Sequence, residues 1–109
     1  MIPHGVDIFV GLEPIDLRWG FERLSGVVSE RLGRGVRDRA LYLFFGKRRT
    51  ALKIVYFDGS GLCILYKRLD KGTFRVPTSF DEHARSVEID ERVLEDLLAG
   101  VDIEVPTRH

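Results

Sequence analysis

Apolar and polar residues alternate along several short stretches of this chain, which is the pattern of β-strands that bury one face. Residues 6–12 alternate in this way and end before Pro14, which predicts a first strand. Three further apolar runs are rich in β-branched and aromatic residues and predict three more strands, at 41–45, 51–57 and 62–66. Glycine and polar turn residues fill the two connections between these runs, which predicts two consecutive hairpins. Shorter strands are predicted near 74–76 and 87–89.

A helical period follows the first strand. Five apolar residues recur at spacings of three or four and form one stripe: Leu17, Phe21, Leu24, Val28 and Leu32. Asp16 precedes this stripe and is a good N-cap, so one long helix is predicted from there to Leu32. Gly20 and Gly26 fall inside it, and one or both are expected to let a strand backbone approach closely.

A second, shorter helix is predicted after Asp90, which is placed to cap it. Glu91 in the first turn suits the helix dipole, and Gly100 follows the last turn. The apolar face consists of Val93, Leu94, Leu97 and Leu98. Apolar and acidic residues alternate over 101–105, so this tail either adds an edge strand or frays.

Together these elements predict an α+β domain. We expect a mostly antiparallel sheet of about five strands, one long helix packed on it and a short C-terminal helix. A chain of 109 residues is long enough for one domain, 1–109, with a single core.

Cysteine content and hydropathy suggest a compartment. Cys63 is the one cysteine, so an internal disulfide is excluded. Because it lies between two aliphatic residues of a predicted strand, we expect it to be a small buried apolar residue. Neither a basic leader nor a long apolar segment is present. We therefore predict a cytoplasmic protein without a membrane span.

The charges are unevenly distributed although the formal net charge is zero. Residues 18–75 contain 14 Lys or Arg and 5 Asp or Glu, whereas residues 76–109 contain 3 and 9. Such asymmetry steers an anionic partner even when the total charge is zero. The alternative is that the acidic C-terminal part folds back and pairs with the basic part.

Motifs for catalysis are lacking. The histidines do not have the spacing of a zinc site, and no serine lies in a GxSxG motif. No metal, cofactor or enzymatic activity is therefore expected. One alternative stays open, a magnesium-dependent nuclease that uses Asp16, Asp58 and Asp70, although each of these has a local role in a cap or a turn.

Basic residues are the strongest candidates for function. Cations clustered at a hairpin tip suit phosphate, because arginine forms bidentate contacts with it. The candidate nucleic-acid-binding residues are Arg18, Lys47, Arg48, Arg49, Lys53, Lys67 and Arg68. Arg18 opposes the dipole of the predicted helix, so we expect it to have an acidic partner, Asp16 or Asp58, or an external anion. Asp58 is expected to bond its own turn or Arg18.

Several aromatic residues lie near these cations in the sequence. Phe45, Tyr56 and Phe57 are expected in the core. Trp19 lies one position off the helical stripe, so both a core and a surface position stay open for it. Tyr66 is the last residue of the run at 62–66.

The same residues resemble a known family. Residues 16–24 read DLRWGFERL and are similar to the pattern D-(M/L)-R-(K/R)-G-F-D-G-L. The basic hairpin, the DGSG turn with Cys63, and the segments KRLDKGTF and Pro77 follow the order of a longer block of that family. These motifs resemble the TnpB (Orf2-like) accessory proteins of IS66-type insertion sequences over about nine-tenths of the chain. Tyr56, Phe57 and Val76 stand where that family usually has tryptophans.

This resemblance implies a non-catalytic helper of DNA transposition that acts with a separate transposase. Its partners would be the transposase, other proteins of the same insertion sequence, and DNA. Two functions remain open: a module that binds DNA or assembles the transposase complex, and a protein-interaction adaptor with no direct DNA contact.

Overall fold

The structure is a computed structural model and describes residues 4–100. Its elements, in chain order, are β1 (Asp7–Gly11), α1 (Phe21–Leu32), β2 (Ala40–Phe45), β3 (Ala51–Phe57), β4 (Leu62–Arg68), β5 (Ser86–Ile89) and α2 (Glu91–Leu98). The five strands form one sheet in the order β4-β3-β2-β1-β5. β1 and β2 are parallel and joined through α1, whereas the other pairs are antiparallel. The predicted α+β class and mostly antiparallel sheet are confirmed.

The two helices cover opposite faces of the sheet. On one face, Leu24, Val27 and Val28 of α1 pack with strand residues such as Tyr42 and Phe44. On the other face, Leu94 and Leu97 of α2 pack with the alternate residues of the same strands. Because side chains alternate along a strand, every residue of β2, β3 and β4 is assigned to the α1 face or the α2 face.

The long helix begins later than the sequence predicts. α1 starts at Phe21 with Gly20 as its N-cap, and no side chain caps it. Asp16 does not cap a helix, because its carboxylate accepts bonds from Arg18. Leu17 therefore lies in a loop outside the helical stripe. The second helix agrees with the prediction, since the Asp90 carboxylate accepts a bond from the Val93 N–H at 2.8 Å.

Close contacts to glycine occur at other positions than those expected, and side chains make them. A Cβ on Gly20 or Gly26 would meet nothing within 4 Å, so the expectation for both was wrong. A Cβ on Gly11 would lie 2.5 Å from the Phe44 ring, and one on Gly46 would lie 2.6 Å from a Leu17 methyl. The contact between Gly46 and Leu17 holds the loop before α1 against the basic hairpin.

Two smaller predictions differ from the structure. Residues 74–76 form no strand, although Phe74 is buried and its N–H donates to the Arg49 carbonyl at 2.7 Å. Cys63 is half-buried at the margin of the core, not enclosed in it, because β4 is the outermost strand on its side of the sheet. The prediction of an added strand at 101–105 lies outside the described residues.

Candidate nucleic-acid interface

The basic hairpin between β2 and β3 has a defined backbone. The Arg49 N–H donates to the Gly46 carbonyl at 3.0 Å and closes a four-residue turn, and the Gly46 N–H donates to the Ala51 carbonyl at 3.1 Å. Arg49 has a left-handed backbone with φ of 59°, which is uncommon for a residue other than glycine. After the turn, the Thr50 carbonyl accepts a bond from the Leu69 N–H, which ties the hairpin to the end of β4.

Three of the predicted cations line a common groove. Lys47 and Arg48 come from the hairpin, and Arg68 comes from the last position of β4. The groove has a volume of about 260 Å³, and Leu17 and Thr50 also line it. All three cations are exposed, and within residues 4–100 none of them forms an ion pair. The groove therefore presents concentrated positive charge to solvent.

Arg49 and Lys67 lie apart from this groove. Arg49 borders a smaller cavity of about 60 Å³ that also contains Glu13 and Val76. Lys67 pairs with Leu52 in the sheet and so belongs to the α2 face, whereas Arg68 pairs with Ala51 on the α1 face. Consecutive cations at the end of β4 thus point to opposite sides of the sheet.

Lys53 is buried and bonded within the protein. It is the one buried charged residue of the described chain, with 8% of its surface exposed. Its Nζ donates to the Trp19 carbonyl at 2.8 Å and lies 5.2 Å from the centre of the Tyr66 ring. The bond fixes the loop before α1 onto β3, so this amine is occupied within the protein.

Arg18 is exposed and paired. Its guanidinium forms a bidentate bond with the Asp16 carboxylate, the shorter arm measuring 2.7 Å, and its backbone N–H donates to the same group. These bonds from Arg18 lower the pKa of Asp16 to about 2, and the nearby charge of Lys53 acts in the same direction. The expected acidic partner of Arg18 is therefore Asp16.

Asp58 acts through its turn, as the sequence predicts. Its Oδ1 accepts bonds from the N–H groups of Ser60 and Gly61, both at 2.9 Å, and from the Ser60 hydroxyl. Those donors lower the pKa of Asp58 to about 2. Its Oδ2 lies 3.5 Å from the sulfur of Cys63, which links the turn to the start of β4.

The carboxylates proposed for a nuclease do not converge. Within residues 4–100 no three His, Cys, Asp or Glu residues lie close enough to hold a metal ion, and this range includes Asp16, Asp58 and Asp70. The magnesium-dependent nuclease hypothesis therefore lacks its site. None of the helices in the described range has the length and apolarity required to cross a membrane.

The aromatic residues divide between core and surface. Phe45 and Tyr56 are buried and Phe57 is half-buried, which confirms packing roles for the first two. Trp19 is half-buried, with the guanidinium of Arg23 4.6 Å and that of Arg31 5.7 Å from its ring centre.

Tyr66 is different, because half of its surface is exposed on the α1 face and its hydroxyl accepts a bond from Arg68, one of the three cations of the groove. The period-two pattern of β4 places Tyr66 and Arg68 on one face, and this signal was present in the sequence.

Comparisons with known proteins identify relatives of this chain. The family model described as IS66 Orf2 like protein matches residues 6–108. The "Uncharacterized protein y4hO" of Sinorhizobium fredii (strain NBRC 101917 / NGR234) is 34% identical over 104 residues, which cover 94% of this chain and 88% of y4hO. The "Uncharacterized protein y4jC" of the same strain is 32% identical over 74 residues, 68% of this chain and 63% of y4jC. No solved structure matches. The match of the family model to nearly the whole chain shows that this protein belongs to the IS66 Orf2-like family.

Proposed function

We propose that this protein is a non-catalytic accessory factor for the transposition of an IS66-type insertion sequence, and that it binds the phosphate backbone of DNA. Membership of the IS66 Orf2-like family supports the process. The groove lined by Lys47, Arg48 and Arg68, hereafter the basic groove, supports the mode of action.

One observation carries this proposal. Cations from two separate parts of the chain converge on the basic groove, and no described carboxylate pairs with them. Exposed cations without acidic partners gain little for stability, so their convergence is better explained by an external anion. Arginine and lysine side chains around a hydroxyl-bearing Thr50 are groups that commonly contact phosphate oxygens.

Because the net charge of the protein is zero, the attraction to DNA has to come from the local distribution of charge. The acidic residues that balance the total lie mainly before residue 18 and after residue 75, outside the basic part of the sequence. Local charge then supplies the attraction, and affinity depends strongly on salt because each neutralised phosphate releases counterions. Phosphate contacts carry no base information, so unrelated sequences are bound similarly.

The test is a salt titration of binding to a fluorescently labelled DNA duplex, followed by anisotropy. The groove variant carries Lys47→Ala, Arg48→Ala and Arg68→Ala. The matched control carries Arg37→Ala, Arg39→Ala and Arg92→Ala, which remove three exposed cations elsewhere and change the net charge equally. Thermal unfolding of both variants verifies that they fold.

The two variants should differ in the slope of log K against log salt. If the basic groove neutralises about three phosphates, its variant loses about 2 to 3 units of slope, at about 0.9 per phosphate. The control keeps the slope of the wild type. Equal slopes in the two variants, or no binding by the wild type at low salt, would instead favour the adaptor that contacts the transposase and not DNA.

A further inference from the structure

The exposed ring of Tyr66 is a feature that packing alone does not explain. Tyr66 lies in β4, at the edge of the sheet, and 50% of its surface is exposed. Tyr56, by contrast, lies in the adjacent β3, and its side chain is buried on the α2 face. With half of its surface exposed, Tyr66 contributes less burial to folding than an enclosed tyrosine such as Tyr56, and the exposed half is available to a ligand.

Two cations hold this ring in place. The Nζ of Lys53 lies over the ring, 5.2 Å from its centre, and is itself anchored by the Trp19 carbonyl at 2.8 Å. The Nη2 of Arg68 donates to the Tyr66 hydroxyl at 3.2 Å. Lys53 is buried, whereas half of the surface of Tyr66 is exposed, so part of the ring stays open to solvent. The ring is therefore oriented before any ligand arrives.

Arg68 also connects the ring to the basic groove. The residue that bonds the Tyr66 hydroxyl is one of the three cations of that groove. A flat aromatic surface thus lies next to a phosphate-attracting site. Aromatic rings beside a cationic path are the usual arrangement for single-stranded nucleic acid, because every base has a face that can stack.

We propose that Tyr66 is a stacking platform for an unpaired base of single-stranded DNA, whose backbone phosphates lie in the basic groove. This inference rests on the proposed function and names its ligand more closely. A base inside a duplex already stacks on its neighbours and cannot reach the ring. The ligand is therefore a strand with unpaired bases, such as a melted or frayed DNA end.

The test compares two probes, a single-stranded oligothymidylate and a blunt duplex of equal length, at one low salt concentration. Tyr66→Ala should weaken single-strand binding about five-fold or more, since a base stacked on an aromatic ring contributes about 1 to 3 kcal/mol. Duplex affinity should change by less than about two-fold, because the phosphate contacts remain. Tyr66→Phe keeps the ring and the Lys53 contact and loses only the hydroxyl bond from Arg68, so it should retain most of the single-strand affinity. Phe80→Ala removes a fully exposed aromatic from the loop before β5 and should bind both probes like the wild type.

A spectroscopic readout tests stacking without any variant. A single 2-aminopurine in the oligothymidylate should change its fluorescence when it stacks on Tyr66 of the wild type, and this change should be absent with Tyr66→Leu. Equal loss of affinity for both probes, no loss with Tyr66→Ala, or a loss as large with Tyr66→Phe would each overturn the inference. A groove variant with an unchanged salt slope would overturn the proposed function itself. A reduced slope together with a silent Tyr66→Ala would overturn the stacking role alone.

Discussion

Replacing Lys53 by methionine separates a structural role of this lysine from a DNA-binding role. The Nζ of Lys53 donates to the Trp19 carbonyl at 2.8 Å, and only 8% of the residue is exposed. Lys53→Met keeps the aliphatic part of the side chain and removes the donor. The Trp19 carbonyl then loses a partner 34 residues away in the sequence.

The size of the effect follows from two opposing contributions. A hydrogen bond from a charged donor contributes about 1.5 to 3 kcal/mol. Removal of the charged group also removes the cost of taking it out of water, which offsets part of this. We therefore expect the free energy of unfolding to fall by about 1 to 2 kcal/mol, which lowers the melting temperature by roughly 5 to 10 °C.

Urea unfolding followed by circular dichroism measures this change, with Lys67→Met as the matched control. Lys67 is the half-buried lysine of the neighbouring strand on the α2 face, and its replacement should change stability by no more than about 0.5 kcal/mol. A Lys53→Met protein as stable as the wild type would refute the structural role. A loss of about one unit of salt slope in DNA binding by this variant would restore Lys53 as a phosphate contact.

Three further predictions concern the backbone and the turns. Arg49→Gly relieves the left-handed φ of 59° and should raise stability by about 0.5 to 1 kcal/mol in urea unfolding, after allowance for the entropy of glycine. Gly11→Ala places a Cβ 2.5 Å from the buried Phe44 ring and should lower the free energy of unfolding by about 1 to 3 kcal/mol. Gly26→Ala adds a methyl group in open space within α1 and should raise it by about 0.5 to 1 kcal/mol in the same assay. The pKa of Asp58 is lowered from 3.8 to about 2 on folding, so its contribution is complete above pH 3.8 and is lost as pH falls towards 2. The difference in melting temperature between the wild type and Asp58→Ala should shrink across that range, and a constant difference would contradict the role of the carboxylate.

Local signals in the sequence predicted most of the fold. The runs at 51–57 and 62–66 have clear strand composition, and Asp58 makes the turn between them through its own backbone neighbours. The second helix was predictable for the same reason, since Asp90 caps it within one turn. Each of these signals depends on residues a few positions apart, so the chain reveals it without tertiary information.

The start of α1 was not predictable from local pattern. Asp16 has the sequence position of an N-cap, yet Arg18 two residues later competes for its carboxylate. Leu17 has the period of the helical stripe, yet it packs against Gly46 of the hairpin. The bond between Asp16 and Arg18 is local and competes directly with capping, whereas the Leu17 contact forms only after the loop before α1 folds against the hairpin.

Charge pattern predicted part of the candidate interface. Lys47, Arg48 and Arg68 lie together as cations of one groove. The opposite orientation of Lys67 follows from the alternation of side chains along β4, which the sequence contained. The burial of Lys53 depends on the distant Trp19 carbonyl, and no pattern in the sequence indicates it.

The central claim, that the basic groove contacts DNA phosphates, is tested most directly by nuclear magnetic resonance. Titration of an unlabelled duplex into the ¹⁵N-labelled protein at low salt should shift most strongly the amide signals of residues 46–50 and Arg68. Added salt should reverse these shifts, because the contacts are electrostatic. No shifts at low salt, or the largest shifts around Arg37 and Arg39 at the opposite end of β3, would contradict the account.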